Sequence, residues 1–221
     1  MKVIIPAKAC SERVHDKNWR PFIDDFSLVD ITITKLIAAG FNSQDIIVSS
    51  ECENRLQAAV KRHGIVPMLR DLAMCCNDLS LCTWIRSTVE QANIEGDVAW
   101  AQVTNPGFTQ YAHCVSTWES VRHFADSLVV AYPVKRYLMM EAGSWMRPIG
   151  WSFGEHHTKS QQLPMMYEMP FTFSILSQES IERSGYHIGL RPHWFVADGK
   201  CIDIDTEDDY RAAQAYHSAT H

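Results

Sequence analysis

The sequence predicts an α/β fold built on a mainly parallel sheet. Strand and helix patterns alternate along most of the 221 residues, and this alternation is typical of α/β proteins. The predicted strands are short apolar runs rich in β-branched residues, and the segments between them carry apolar residues at helical spacing. Two of the predicted helices end at a glycine, Gly40 and Gly64, which is a common helix stop.

The elements of the first half follow in order. The run Val3, Ile4 and Ile5 ends at Pro6 and predicts a buried strand. Ser27 is a plausible N-cap for the first helix. The elements predicted next are a helix over residues 27–39, a strand over 45–49, a helix over 53–63 and a strand over 65–69.

The second half continues the alternation and contains one irregular segment. The patterns predict a helix over 81–92, a strand over 98–103, a helix over 111–125 and a strand over 127–134. Regularity returns over 170–176, followed by a helix from Gln178, strands near 194–196 and over 201–204, and a helix over 207–217. Long aperiodic stretches are unusual in compact domains. We therefore expect one domain over 1–221, with 135–169 as an inserted lid or dimerisation segment.

Composition narrows the class of protein. The net charge is −6 and no run of Lys or Arg stands out, which argues against nucleic-acid binding and against a polybasic membrane patch. No apolar stretch approaches transmembrane length, and the N-terminus does not resemble a signal peptide. Seven cysteines without a CxxC pair argue against a zinc ribbon and favour a reducing compartment. The sequence therefore predicts a cytoplasmic protein.

The segment after the first strand carries three cations, Lys8, Arg13 and Lys17, among small residues. Cations just past the carboxyl end of a strand are typical of anion pockets in α/β proteins. We expect them to hold a triphosphate, with Asn18 contacting a base or ribose. The alternative is that they are ordinary solvated charges, because the segment lacks the glycines of a Walker or dinucleotide-binding motif.

A second candidate site lies near the C-terminus. If residues 202–205 are extended, Asp203 and Asp205 project from one face while Ile202 and Ile204 enter the core. Paired carboxylates that leave positions for substrate phosphates are a usual way to hold Mg²⁺. The alternative is that Asp205 or Thr206 caps the last helix.

Polar residues also follow two other strands. Arg70 ends one strand and precedes Asp78 and Thr83, which are able to contact a base or ribose. Gln102 and Thr104 follow the strand at 98–103, at the edge where open α/β sheets bind ligands. Taken alone, the Arg70 segment is better explained as a surface loop.

In this order the motifs resemble those of the acylneuraminate cytidylyltransferase family, the CMP–sialic acid synthetase-like enzymes. The similarity covers nearly the whole chain and is weakest over 135–159. The family's I-P-A-R-x-x-S-K-G-x-x-x-K-N is similar to Ile5-Pro6-Ala7-Lys8, Ser11 and Lys17-Asn18. Its V-S-T-D, Q-x-T-S-P and R-Q-x-L-P motifs resemble Val48-Ser49-Ser50-Glu51, Gln102-Val103-Thr104-Asn105-Pro106 and Ser160-Gln161-Gln162-Leu163-Pro164. Its closing D-I-D-T-x-x-D is present intact from Asp203 to Asp209.

The resemblance implies a Rossmann-like nucleotidyltransferase fold, usually dimeric, that uses CTP and Mg²⁺. The implied reaction transfers CMP to the anomeric hydroxyl of a nonulosonic, sialic-acid-like sugar acid and releases pyrophosphate. The implied catalytic cations are Lys8, Arg13 and Lys17. The implied nucleotide-binding residues are Ala7, Lys8, Ser11, Lys17, Asn18, Arg70, Asp78 and Thr83. Gln102, Thr104 and Gln161 would bind the sugar acid, and Asp203 and Asp205 the metal.

Several positions depart from the family pattern. Lys8 replaces an arginine and loses its bidentate fork, and Glu12 replaces a lysine, with Arg13 as a possible compensation. Gly107 and Ser160 stand where the family has arginines. These departures leave two alternatives open: a nucleotide- or sugar-binding relative without turnover, and a transferase for another 2-keto-3-deoxy sugar acid such as 3-deoxy-manno-octulosonate.

Overall fold

Eight strands form a central sheet in the computed structural model, which describes residues 1–11, 13–75 and 79–220. The strands of this part of the chain are β1 (Lys2–Pro6), β2 (Pro21–Ile23), β3 (Phe26–Ser27), β4 (Ile46–Ser50), β5 (Val66–Leu69), β6 (Val98–Ala101), β7 (Ser127–Val134), β8 (Met139–Ala142), β9 (Trp145–Pro148), β10 (Met166–Glu168), β11 (Phe173–Leu176) and β12 (Pro192–Val196). The α-helices are α1 (Leu28–Ala38), α2 (Glu53–His63), α3 (Leu81–Gln91), α4 (Tyr111–Val121), α5 (Gln178–Arg183) and α6 (Glu207–Thr220). The predicted α/β fold with a mainly parallel sheet is confirmed.

The strand order places four strand ends side by side. Strands β5, β4, β1 and β6 are neighbours in that order and run parallel. On the other side of β6, β11 pairs antiparallel with both β6 and β7, and β12 pairs parallel with β7. Because parallel strands end at the same edge, the segments after β1, β4, β5 and β6 meet there.

Both faces of the sheet are buried. Val3 and Ile5 of β1 pack in one apolar cluster with residues of α1, α2, α4 and α6. Ile4, between them, packs in a second cluster with Ile85 of α3 and Ile181 of α5. Successive strand residues point to opposite faces, so helices cover the sheet on both sides, as continuous apolar strands require.

Side-chain caps fix the start of several helices. Ser27 caps α1 in a reciprocal capping box with Asp30, as its sequence position predicts. Ser80 accepts a hydrogen bond from the Thr83 N–H at the start of α3. Thr206 and Asp209 form the same kind of contact before α6, where the Asp209 N–H donates to the Thr206 hydroxyl at 3.2 Å.

Three sequence predictions need correction, and one element of the structure was not predicted. Residues 201–204 form no strand, because the Ile204 N–H donates to the Thr104 carbonyl (2.9 Å) while the rest of the segment makes no ladder. Strand β6 ends at Ala101 rather than 103, and α4 ends at Val121 rather than 125. The hairpin of β2 and β3 has no sequence signal, since its strands have three and two residues, too few for periodicity.

The irregular segment 135–169 contains short elements of its own. Strands β8 and β9 form an antiparallel hairpin, and β10 returns to pair with the end of β7. Large apolar side chains of the hairpin are exposed, namely Met139, Met140, Trp145 and Met146. A role as lid or dimerisation segment stays a prediction. Across the described helices, none combines the length and apolarity needed to cross a membrane.

Candidate functional site

A cavity of about 280 Å³ opens at the edge where β1, β5 and β6 end. Its lining consists of Pro6, Lys8, Ser11, Lys17, Asn18, Arg70, Met74, Cys75, Trp84, Gln102, Val103 and Thr104. Seven of these are site residues expected from the sequence, namely Lys8, Ser11, Lys17, Asn18, Arg70, Gln102 and Thr104. Side chains from three separate strand ends therefore surround one cavity.

The segment after β1 is held in place by backbone contacts and one carboxylate. The Ala7 N–H donates to the Ser49 carbonyl (2.8 Å), so Ala7 is buried beneath the cavity instead of lining it. Glu51 Oε1 accepts the N–H groups of Ala9 (2.7 Å) and Cys10 (3.2 Å). These contacts fix the backbone that carries Lys8 and Ser11 toward the cavity.

The buried side chain of Asn18 holds the segment after β1 in place. Its Nδ2 donates to the Lys8 carbonyl at 2.9 Å, and its side chain is buried. Its Oδ1 is inaccessible and has no hydrogen-bond partner in the part of the chain that the structure describes. The amide of Asn18 therefore holds the Lys8 carbonyl, while its oxygen is shielded from the cavity.

Lys17 joins the same segment to the C-terminal acidic motif. Its Nζ donates to the Ile204 carbonyl (2.6 Å) and lies 3.9 Å from Asp205 Oδ1. Burial lowers the pKa of Lys17, although the nearby carboxylates of Asp205 and Asp203 oppose that shift. The ammonium group is thus placed between the cavity and the two acids.

Arg13 lies outside the cavity lining. Its Nη2 donates to Asp205 Oδ1 at 2.7 Å, and both side chains are largely exposed. The structure therefore places Arg13 at the acidic motif rather than within the cavity.

Asp203 lies beside Thr104 at the rim. A hydrogen bond joins the two side chains, but burial raises the pKa of the Asp203 carboxyl. Its Oδ1 is inaccessible and unpartnered within the described ranges. The described residues contain no cluster of three or more His, Cys, Asp or Glu able to hold a metal. Mg²⁺ is usually bound by one or two carboxylates plus substrate phosphates and water, and a role of Asp203 and Asp205 in holding it stays a prediction.

Arg70 is clamped from two sides. Its Nη2 lies 3.2 Å from the Ser49 carbonyl and 3.4 Å from Glu51 Oε2, and its guanidinium lies 5.9 Å from the centre of the Trp84 ring. Burial alone would raise the pKa of Glu51, but donated N–H groups, with those of Ala9 and Cys10 among them, and the nearby Arg70 hold it below its usual range. Glu51 thus orients two sides of the cavity at once.

Besides Ala7 and Arg13, two of the described residues expected to bind the nucleotide or the sugar acid, Thr83 and Gln161, are absent from the cavity lining. Thr83 is exposed and bonds to Ser80 in the helix cap. Gln161 is exposed, and its carbonyl accepts a hydrogen bond from Lys135 Nζ (3.2 Å). Asp78, like the Glu12 departure, lies outside the described residues, and Arg13 is at the acidic motif.

Sequence reasoning missed four residues of the site. Glu51 directly follows β4. Polar residues just after the carboxyl end of a strand lie at the edge where open α/β sheets bind ligands, and this rule, which identified Arg70 and Gln102, also applies to Glu51. Met74 and Cys75, from the segment between β5 and α3, and Trp84, in the first turn of α3, line the cavity, and no motif or spacing marks them.

Comparison with known proteins identifies structures that share the fold of this chain. No protein-family model matches the chain, and no curated protein matches it. A solved CMP:2-keto-3-deoxy-manno-octonic acid synthetase complexed with CTP superposes with a TM-score of 0.68 at 10% identity, covering 100% of this chain and 99% of that chain. A cytidylyltransferase from Leptospira borgpetersenii gives 0.62 at 13% identity, covering 99% and 86%.

A third structure agrees with these two. A 4-diphosphocytidyl-2C-methyl-D-erythritol synthase from Anaerococcus prevotii gives a TM-score of 0.64 at 12% identity, covering 98% of this chain and 95% of that one. Similarity at such identities concerns the fold. The chain therefore has the Rossmann-like α/β fold of these nucleotidyltransferases.

Proposed function

We propose that the protein is a cytidylyltransferase that transfers CMP from CTP to the anomeric hydroxyl of a sugar acid and releases pyrophosphate. The observation that carries the proposal is the single cavity lined by seven expected side chains from three strand ends. Charged and polar side chains that converge on one concave pocket are the features expected of a ligand site. The solved structures of the same fold, one of them complexed with CTP, support the choice of nucleotide.

The charges of the cavity suit a triphosphate at one end. Lys8 and Lys17 come from the segment after β1, and Ser11 adds a hydroxyl donor. Cations close to phosphate oxygens stabilise the charge that shifts toward pyrophosphate as it leaves. Arg70 and Asn18 belong to the same lining, and their polar side chains suit a base or ribose.

The reaction needs positioning more than covalent chemistry. The acceptor hydroxyl loses its proton to solvent as its oxygen attacks the α-phosphorus, and the bond between that phosphorus and the bridging oxygen breaks as pyrophosphate leaves. Lys8 and Lys17 would hold the phosphates, while Gln102 and Thr104 would hydrogen-bond the acceptor at the rim. Aligning the two substrates in this way lowers the entropic part of the barrier.

Asp203 and Asp205 would hold Mg²⁺, which would neutralise phosphate charge and lower the pKa of a hydroxyl bound beside it. Asp203 offers an unpartnered buried oxygen for this role. Asp205 is paired with Arg13 in the structure, so Arg13 would have to share or release that carboxylate. Arg13 is then free to approach the phosphates.

The acceptor we propose is a 2-keto-3-deoxy sugar acid, with a nonulosonic acid as the first choice. A 2-keto-3-deoxy-manno-octonic acid is the second choice, because a synthetase of that name shares the fold over nearly its full length. Lys135 and Arg136 are the nearest candidates for the cations missing at Gly107 and Ser160. Lys135 already contacts the Gln161 carbonyl, which links it to the segment expected to bind the acid.

We further propose a homodimer. The exposed apolar side chains of the β8–β9 hairpin, with Trp145 at 62% and Met146 at 65% exposure, form a surface that a second copy would cover. Contiguous exposed apolar patches usually mark such interfaces. Sedimentation analysis of the wild-type chain and of Trp145→Glu tests this: the variant should be a monomer, and an unchanged mass would contradict the hairpin interface.

The direct test is pyrophosphate release with each of the four nucleoside triphosphates, Mg²⁺ and a panel of acceptors. The panel contains a nonulosonic acid, 3-deoxy-manno-octulosonic acid and, as a non-acid control, glucose 1-phosphate. We expect release with CTP and one of the acids. CTP binding without release for any acid would instead favour a binding protein without turnover.

A variant pair tests the acidic motif. Asp205→Ala should reduce turnover more than tenfold while the melting temperature stays close to wild type, because the side chain is half exposed. Asp208→Ala is the matched control, since its side chain is 93% exposed and it lies three positions on. Retention of more than about a tenth of the wild-type rate, under about 1.4 kcal/mol of barrier, contradicts the metal role.

A further inference from the structure

We propose that Trp84 is the platform on which the base of the bound nucleotide stacks. This inference rests on the proposed function and adds a residue that no sequence motif marks. Trp84 is the fourth residue of α3 and lines the cavity. The motif resemblance reaches only its neighbour, Thr83, which is turned toward the helix cap.

The indole meets the cavity through its carbon surface. Its Nε1 is inaccessible and has no hydrogen-bond partner among residues 1–11, 13–75 and 79–220, so the N–H edge faces the protein interior. An aromatic carbon surface at a cavity wall binds flat groups by stacking rather than by hydrogen bonding. Met74 adds a second apolar side chain to the same lining.

One aromatic side chain packs directly against the Trp84 ring, and a second packs against the first. Trp100 of β6 is completely buried and lies edge-to-face with Trp84, with ring centres 5.1 Å apart at 83°. His187 packs on Trp100 at 5.3 Å, and burial lowers the pKa of His187 to about 4. A neutral, close-packed row of rings therefore presents Trp84 in one position, which reduces the entropy lost on binding.

The surroundings of Trp84 select an amphipathic ligand. The Arg70 guanidinium lies 5.9 Å from the centre of the indole, within the range of a cation–π contact. Lys8 and Lys17 lie in the same cavity lining. A ligand that places a flat aromatic group on Trp84 and anionic groups on the lysines matches both the apolar and the cationic side chains of the lining. A nucleoside triphosphate has this form.

Stacking on an aromatic side chain tolerates any base. Trp84 should therefore supply affinity for the nucleoside part, while the choice of cytosine comes from polar groups nearby. The role of Trp84 can therefore be separated from that of the phosphate-binding lysines, because a ligand without a base cannot stack on the indole.

The test compares CTP with inorganic tripolyphosphate by isothermal titration calorimetry. The proteins are the wild type, Trp84→Ala, Trp84→Phe and the control Phe124→Ala, whose exposed side chain follows α4. We expect Trp84→Ala to weaken CTP binding by about 5- to 150-fold and to leave tripolyphosphate binding unchanged within twofold. Trp84→Phe should keep most of the CTP affinity, and Phe124→Ala all of it.

Each outcome is decisive. Equal CTP affinity in the wild type and Trp84→Ala, or an equal loss for CTP and tripolyphosphate, overturns the platform. If Trp84→Ala does not fold, Trp84→Leu replaces it, since leucine fills the site without a π face and Phe restores one. Titration with the other three nucleoside triphosphates separates the two proposals: Trp84-dependent binding of another triphosphate, together with no binding of CTP, keeps the platform and contradicts the proposed use of CTP.

Discussion

Arg13 Nη2 lies 2.7 Å from Asp205 Oδ1 across 192 positions of the sequence. This contact closes the segment after β1 against the segment before α6, and Lys17 Nζ lies 3.9 Å from the same oxygen. The side chains of Arg13 and Asp205 are 70% and 48% exposed. Exposed ion pairs contribute little to stability, so the contact brings two halves of a site together without holding the fold.

Arg13→Ala should therefore separate activity from stability. We expect the free energy of unfolding to change by less than about 1 kcal/mol, and pyrophosphate release to fall at least tenfold because a cation beside the phosphates is lost. Urea unfolding and a pyrophosphate assay measure the two quantities. Arg183→Ala, which removes an exposed pair with Glu179, should change neither. Wild-type turnover of Arg13→Ala would show that Arg13 is a solvated surface charge.

Lys17→Met should weaken the binding of CTP and of tripolyphosphate alike. Lys17 is half-buried beside the cavity, and a charge-assisted contact with phosphate is lost, which we expect to cost roughly tenfold or more in affinity. Titration calorimetry of both ligands gives the measurement. Lys61→Ala, on the exposed face of α2, is the control. A loss confined to CTP would contradict the phosphate role of Lys17.

Asp30 should make stability depend on acid pH. Burial alone would raise its pKa, but hydrogen bonds from His63 and Ser27 lower it from 3.8 to about 2. Because the folded-state pKa is depressed, the stabilisation is complete above pH 4 and is lost as the pH falls toward 2. The shift corresponds to about 2 kcal/mol.

Asp30→Asn should thus lower the free energy of unfolding by about 2 kcal/mol at pH 7, and the difference from wild type should narrow between pH 4 and pH 3. Urea unfolding at pH 7, 4 and 3 measures this. The exposed Asp208→Asn provides a reference in which the difference stays small throughout. If the difference in the free energy of unfolding between Asp30→Asn and the wild type stays constant with pH, the carboxylate charge is not what stabilises α1.

Gly189→Ala should destabilise the loop that carries His187. A Cβ at this position would overlap the Asp126 carboxylate, which accepts the N–H groups of Leu190 and Arg191 at 2.9 Å each. We expect a loss of about 1–3 kcal/mol from overpacking, measured by urea unfolding. Gly107→Ala meets its neighbours at ordinary contact distances of 3.6–3.7 Å and should be tolerated. Equal stability of the two variants would show that the loop relaxes freely.

Local signals in the sequence were sufficient for several elements. The apolar run of β1, the Ser27 cap and the glycine after α2 each act over a few residues, and Gly64 adopts the left-handed conformation (φ 69°) that such a stop requires. Residues 201–204 show the limit of this reasoning. Their alternating pattern predicted a strand, but the segment found its one backbone partner, Thr104, just past the end of β6, where no ladder continues.

The sequence by itself determined the α/β class, the order of most elements and the polar residues that follow β1, β5 and β6, because periodicity and capping depend on near neighbours. The tertiary structure alone decided which of these residues meet. The strand order put the ends of β1, β4, β5 and β6 at one edge, so Glu51 reaches both the β1 segment and Arg70. It also turned Trp84 onto the cavity against Trp100. Contacts of this kind depend on the packing of distant segments, and no local pattern encodes them.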